Sequence, residues 1–227
     1  LTEVRYRTAR KHTQANASGI SLITIFEDEF LLKKDAVFCL IKSKLGLNKK
    51  IYARKTKIVQ PSNSQAVAFL NKWHLQGSSS FKYSVGLEYE GDLVAVATLA
   101  LHHRDPSKIC IRRVCFGDVG VVGGFGKMLA HLKNKAKELG YSEIITWSDN
   151  RLSDGKMYLA AGFYLKQELK PDYFYFKKQK RIAKQFLTKK KLTTLGAVGE
   201  TELEMSASLG YFRVYDAGKK AWVINVT

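Results

Sequence analysis

The period of the hydrophobic positions changes along the chain, and the changes mark out its elements. Val67, Phe69, Leu70 and Trp73 are the apolar positions of a short helix from Gln65 to His74, behind the break and N-cap at Pro61-Ser-Asn-Ser64. Phe30, Leu31, Val37, Phe38, Leu40, Ile41 and Leu45 space out a helix over residues 30–45, closed by Gly46. Arg5 to Gln14 is polar and basic with helical character, ended by Gly19. β-Branched and apolar runs predict strands over residues 20–26, 51–59, 83–89, 92–100 and 108–116, with Glu90-Gly91-Asp92 turning a hairpin. A glycine turn then opens a helix from Phe125 to Leu139, ended by Gly140. A strand at 143–147, a helix at 156–161 and a strand at 171–176 follow. Residues 177–191 read as a basic helix docked by Ile182, Phe186 and Leu187, residues 200–209 as an acidic amphipathic helix, and residues 210–218 with 221–225 as a closing hairpin. The fold class is α/β (α+β), a central mixed sheet flanked by helices.

The bulk numbers then narrow the partner. The chain has 227 residues and 45% hydrophobic content, enough for one large domain or one domain with an appendage. Lys and Arg outnumber Asp and Glu 38 to 20, a net charge of +18. That exceeds what solubility needs and favours a polyanion, with a nucleic acid as the expected partner. The outward cations of the basic stretch, Lys178, Arg181, Lys184, Lys189 and Lys190, are its expected phosphate contacts. No apolar run approaches the ~20 residues of a membrane span, so no membrane partner is expected. No signal peptide is visible, and the polar start Leu1-Thr-Glu-Val-Arg5 lacks an initiator Met, as expected of a chain beginning inside a longer polypeptide. Cys39, Cys110 and Cys115 form no CxxC pair; they read as buried thiols of a reducing compartment, and no metal site is expected of them.

Several residues carry candidate chemistry. Glu27-Asp28-Glu29 ends a predicted strand, where carboxylates bind Mg²⁺, but acids equally suit the positive end of the following helix, and that reading is preferred. Gly123, Gly124 and Gly126 let backbone approach a phosphate at a helix start; the alternative is tight helix–sheet packing. His74 is either a functional base or a helix-end cap. Asp149 ends a strand on the side where open sheets bind ligands, and Tyr158 lies on a short helix where it is functional or core. His102-His103 reads as surface.

Gly120-Val-Val-Gly-Gly-Phe-Gly-Lys-Met-Leu129, Trp147-Ser-Asp-Asn150 and Asp154-Gly-Lys-Met-Tyr-Leu-Ala-Ala-Gly-Phe163 together resemble the GNAT acyltransferase fold. The resemblance implies acetyl-CoA as cofactor, held by Val122, Gly123, Gly124, Gly126, Lys127 and Asn150; Val121 stands where the pattern has Gln or Arg. Tyr6-Arg-Thr8, residues 17–30, Ile51-Tyr-Ala-Arg-Lys55 and the Gly-Tyr-x-Arg-x-Tyr-Asp run at 210–216 resemble phage homing endonucleases with a Vsr-like nuclease. That implies a nuclease-derived segment at 1–50, a GNAT-like domain at 51–227, DNA as partner and the cytoplasm of a phage-infected host. The upstream catalytic strand of that nuclease has no counterpart, and Arg7 replaces its His, so no autonomous cleavage is expected. His74-Leu-Gln-Gly77, Arg112-Arg113-Val114 and the Ser148-Asp149, Tyr158, Gly162 arrangement are similar to the Mom family of phage DNA-modification enzymes. This implies a catalytic set of His74, Asp149 and Tyr158, with iron as a cofactor by analogy; Leu75 replaces a Tyr of that pattern. The leading expectation is a DNA-binding protein of the homing endonuclease family. The alternatives are an acyltransferase or base-modifying enzyme, and a catalytically inactive nucleic-acid-binding adaptor.

Overall fold

The computed structural model describes residues 2–226. Three helices come first: α1 (Thr2–Ala17), α2 (Glu27–Leu32) and α3 (Lys34–Lys44). Strands β1 (Lys50–Tyr52) and β2 (Lys57–Val59) flank a 3₁₀ turn at Ala53–Lys55. Then come α4 (Asn63–Trp73), β3 (Tyr83–Tyr89), β4 (Asp92–His102), β5 (Asp105–Phe116), β6 (Gly120–Val122) and α5 (Gly124–Glu138). They are followed by β7 (Glu143–Asp149), α6 (Lys156–Ala160), β8 (Tyr164–Leu169), β9 (Tyr173–Lys177) and β10 (Lys180–Ala183). The chain closes with α7 (Lys189–Thr194), α8 (Glu202–Ser208), β11 (Phe212–Tyr215) and β12 (Lys219–Asn225). These elements form two compact units. One comprises Glu29–Trp147, Lys156–Lys166 and Ala221–Thr227; the other Leu1–Asp28, Ser148–Gly155 and Gln167–Lys220. Residues 2–28 thus belong to one unit and residues 29–50 to the other.

The larger unit is built on a mixed sheet, and the expected fold class holds. The seven strands run β2-β3-β4-β5-β7-β12-β8. β2 to β5 are antiparallel, while β5 and β7 are parallel and joined through α5. β4 is apolar at nearly every position because helices cover both its faces. Ala95, Ala97 and Leu99 pack with Phe125, Met128, Leu129 and Leu132 of α5, and Val96 packs with Ala66, Phe69 and Leu70 of α4. A reciprocal capping box between Ser62 and Gln65 starts α4. Glu90 and Gly91, at φ 54° and 89°, make the expected hairpin turn.

Two expectations for this unit are corrected. Residues 51–59 are not one strand: the 3₁₀ turn breaks them, β1 pairs in parallel with β6, and β2 joins β3. The helix expected over 30–45 breaks at Lys33, whose φ of −135° ends α2 before α3 begins. The Lys33 ammonium donates to the Asn71 carbonyl at 2.5 Å, which holds the break in place.

The smaller unit carries a three-stranded antiparallel sheet, β10-β9-β11. Its core is Tyr175, Leu187, Leu192 and Met205. Glu202 Oε1 accepts from both Tyr173 and Tyr175 hydroxyls at 2.6 Å and from Arg213 at 3.2 Å. Three expectations fail here. Residues 177–191 are not a helix: Lys178 and Gln179, at φ 47° and 61°, turn β9 into β10, and only 189–194 is α-helical. Residues 210–225 are not a hairpin, because β11 pairs with β9 while β12 lies between β7 and β8. Residues 20–26 carry no strand, because Thr24 bonds outside any ladder: its N–H donates to the Arg151 carbonyl at 2.9 Å and its own carbonyl accepts from Arg151 Nη1 at 3.1 Å.

Two predictions follow from this packing. A Cβ at Gly124 would lie 2.8 Å from Phe116 and 2.9 Å from Val121, whereas one at Gly126 meets nothing within 4 Å. Gly124→Ala should therefore lower stability by about 1–3 kcal/mol, and Gly126→Ala should raise it by roughly 0.5–1 kcal/mol. Thermal unfolding of the two variants checks the opposite signs. Burial works against the Glu202 carboxylate, but the hydroxyls of Tyr173 and Tyr175 and the charge of Arg213 hold its carboxyl below the usual range. Its stabilisation is complete above the unfolded carboxyl range and is lost as pH falls through the depressed value. Glu202→Gln should cost about 1–2 kcal/mol at pH 7, and the cost should shrink as pH is lowered below the usual carboxyl range, as read by urea unfolding. A gap that does not change with pH would contradict this.

Candidate functional site

The larger unit gathers its candidate chemistry where the parallel ladder stops. β5 and β7 pair only at Ile109–Ile144 and Cys110–Ile145, although β5 continues to Phe116 and β7 to Asp149. At the next step a side chain takes over, as Thr146 Oγ1 donates to the Ile111 carbonyl at 3.3 Å. Crevices at the carboxyl ends of parallel strands are where open sheets bind ligands. α5 begins after the following β6, with Gly123 as its N-cap at φ 76°. The Lys127 N–H makes the first intrahelical bond, to the Gly123 carbonyl at 3.1 Å. The amides of Gly124, Phe125 and Gly126 have no partner within the helix, and no acid lies in its first turn. That is an anion-accepting arrangement at the positive end of a helix dipole.

The glycines divide between the two roles open to them. Gly124 is required by packing, since its Cβ would collide with Phe116 and Val121. Gly126 faces open space, and the φ of Gly123 favours glycine. Val121 packs against the core and Val122 is half exposed. Lys127 turns away from the first turn: its ammonium donates to the carbonyls of Ala53 at 2.9 Å and Thr56 at 2.5 Å.

Tyr158 is brought to the same place. Its ring packs edge-on against Phe125 of the first α5 turn at 5.6 Å and against Phe163 at 5.4 Å. Its hydroxyl lies 3.4 Å from Thr146 Oγ1. Burial raises the phenol pKa, and the Thr146 hydrogen bond offsets only part of that, so Tyr158 stays protonated at neutral pH. His74 takes the cap role. Its N–H closes α4 on the Leu70 carbonyl at 2.9 Å, and Nδ1 accepts from the Gln76 N–H at 3.1 Å. Burial, with Arg113 and Lys33 nearby, pushes its pKa down to about 3, which leaves a neutral and weak base.

Asp149 and Asn150 belong to the smaller unit. The Asp149 carboxylate accepts from the Arg151 N–H and from Arg151 Nη2, both at 3.0 Å. Asn150 donates its side-chain amide to the Ala217 carbonyl at 3.2 Å and its backbone N–H to Gly218 at 3.1 Å. The sequence reading missed two buried partners of this corner. Asp216 accepts from the Asp172 and Gly218 amides at 2.8 Å each, and His12 meets the Thr24 hydroxyl at 2.9 Å. Burial raises the Asp216 carboxyl and lowers the His12 imidazole. Asp216 was visible only as the last residue of the Gly-Tyr-x-Arg-x-Tyr-Asp run, and His12 had no signal.

Three of the expected DNA contacts are engaged within the chain. Arg181 pairs with Asp28 at 2.6 Å and lies over the rings of Phe26 and Phe174. Lys184 pairs with Asp172 at 2.7 Å, and Lys189 donates to the Glu200 carbonyl at 2.8 Å. Lys178 and Lys190 are exposed. Among the described residues no group of three or more His, Cys, Asp or Glu side chains is placed to hold a metal ion, so the iron expected by analogy finds no ligand set. No helix among them is long and apolar enough to cross a membrane. Cys110 and Cys115 are buried thiols as expected, and Cys39 is partly exposed.

No protein-family model and no curated protein matches the chain, so the nuclease resemblance of residues 6–55 gains no support there. Among solved structures the chain is similar to the IAA acetyltransferase from Bacillus cereus ATCC 14579, at 13% identity, covering 75% of this chain and 99% of that one, with a TM-score of 0.43. It is similar to the ribosomal-protein-S18-alanine N-acetyltransferase from Escherichia coli at 9% identity, covering 76% and 94%, with a TM-score of 0.44. It is also similar to a GNAT family acetyltransferase from Elizabethkingia anophelis with acetyl-CoA bound, at 14% identity, covering 75% and 98%, with a TM-score of 0.43. At these identities and TM-scores the likeness establishes neither family nor activity.

Proposed function

We propose that the chain is a GNAT-type acyltransferase that takes its acyl group from acyl-CoA. One observation carries the reading: the first-turn amides of α5, which have no partner within the helix, lie against a buried and protonated Tyr158 whose neighbour Thr146 marks the end of the β5–β7 ladder. The donor set fits a pyrophosphate, being backbone N–H groups at a positive helix end with open space at Gly126 and no acid to repel it. Gly124, Phe125 and Gly126 would hold that pyrophosphate, and the cofactor would supply the acyl thioester. Tyr158 keeps its hydroxyl proton and holds it at Oη, where it can be given to a leaving thiolate. His74, neutral and weakly basic, orders the α4 end and is not assigned a proton-transfer role.

Acetyl-CoA should bind the folded protein with measurable heat by calorimetry, and thiol release should follow when amine acceptors are added. Tyr158→Phe should keep acetyl-CoA affinity while lowering the transfer rate by about 10²-fold. Absence of binding to folded wild-type protein sinks the reading.

Nucleic-acid binding is retained as a second reading because cations exceed acids 38 to 20. Duplex DNA affinity should then fall steeply with added salt, and replacing exposed Lys178 and Lys190 by Glu should weaken binding on every sequence alike. Salt-independent binding, or none, would remove DNA as the partner.

A further inference from the structure

Beside the α5 turn lies an aromatic and cationic ledge that the pyrophosphate reading leaves unused. β1 and β6 pair in parallel with Tyr52 opposite Val122, and the burial of β1 alternates so that Ile51 enters the core while Lys50 and Tyr52 stay outside. Tyr52 is 54% exposed and Val122 50% exposed, which puts an open apolar strip one residue before Gly123. Tyr52 leads straight into the 3₁₀ turn of Ala53–Lys55, and Arg54 lies 5.0 Å from the Tyr52 ring centroid. Arg54 and Lys55 are exposed, and among the described residues neither has an ion-pair partner.

The turn is held against the start of α5. A Cβ at Gly123 would lie 3.7 Å from the Ala53 side chain, and the Lys127 ammonium bonds the carbonyls of Ala53 and Thr56. Lys127 therefore acts as a clamp, and the charges offered to solvent there are those of Arg54 and Lys55. From Lys49 to Lys57 the chain carries Lys49, Lys50, Arg54, Lys55 and Lys57 and no acid. A flat exposed ring next to uncompensated cations fits a purine stacked on the ring with a phosphate monoester on its sugar.

We propose that Tyr52, with Val122, is the stacking platform for the adenine of CoA, and that Arg54 and Lys55 receive its 3′-phosphate. This rests on the acyl-CoA reading and adds to it the nucleotide end of the ligand. The subsite is supplied by the β1–β6 pair and its 3₁₀ turn.

The experiment measures binding of acetyl-CoA, CoA, dephospho-CoA, adenosine 3′,5′-bisphosphate and a duplex oligonucleotide to the full chain by calorimetry. Wild-type protein should prefer CoA to dephospho-CoA by about tenfold or more. Arg54→Glu with Lys55→Glu should erase that preference. Tyr52→Ala should weaken CoA and dephospho-CoA alike by about tenfold, and Tyr52→Phe should restore both. All four residues are exposed or half exposed, and circular dichroism confirms that each variant is folded. CoA binding that is unchanged in all variants overturns the subsite and leaves the acyltransferase reading standing. Bisphosphate binding that depends on Tyr52 and Arg54, without any binding of CoA or acetyl-CoA, overturns the assignment to CoA together with acyl transfer. Loss of oligonucleotide binding in the double variant with CoA affinity intact overturns the proposal in favour of a nucleic-acid surface.

Discussion

The larger unit is organised by the closeness with which α5 rests on the corner between β5 and β6. There is no room for a Cβ at Gly124, because Phe116 and Val121 already occupy that space. This contact fixes where the helix starts, and several features follow from that start. Phe125 is directed into the core against Tyr158, the amides of the first turn are left without helical partners, and Lys127 is placed to bond the 3₁₀ turn at Ala53–Lys55. A glycine run that resembles a phosphate cradle is in part a packing requirement, and the packing itself positions the amides.

The smaller unit depends on a different constraint, a guanidinium taken out of water. Arg151 is 1% exposed, and such a charge is tolerated only when it is paired and hydrogen-bonded. Asp149 supplies the opposite charge, Thr24 a carbonyl, and the Phe26 ring lies 4.4 Å from the guanidinium carbon. Within residues 20–26, Phe26 lies over this charge and the Thr24 N–H and carbonyl are bonded by Arg151 in place of a neighbouring strand. The Asp149 carboxylate is committed to that pairing.

The candidate site was legible in proportion to how local its chemistry is. The glycines, the helix they open and Tyr158 were all visible as types at spacings, because a helix start and the turn before it are written in consecutive residues. The clamp from Lys127 to Thr56 and the ledge at Tyr52 were not legible, since they join residues about seventy positions apart. His74 and Asp149 were legible as polar residues at element ends, and only the structure showed that one caps α4 and the other neutralises Arg151.

The sequence by itself determined the elements whose period is self-contained: α4 with its capping box, the β3–β4 hairpin with its turn at Glu90-Gly91, β5, α5, β7, α6 and α8. Their apolar positions repeat at the spacing of the element that buries them, so pattern and structure coincide. Tertiary structure alone decided which strands pair and which cations remain available. Residues 177–191 have helical spacing, yet they turn at Lys178-Gln179 because β9 is paired on one side by β10 and on the other by β11. Residues 221–225 read as half of a hairpin, yet they lie between β7 and β8. A strand's identity is written in its side chains, but its partner is chosen by backbone groups that are the same in every residue, so only the assembled core selects among the available edges.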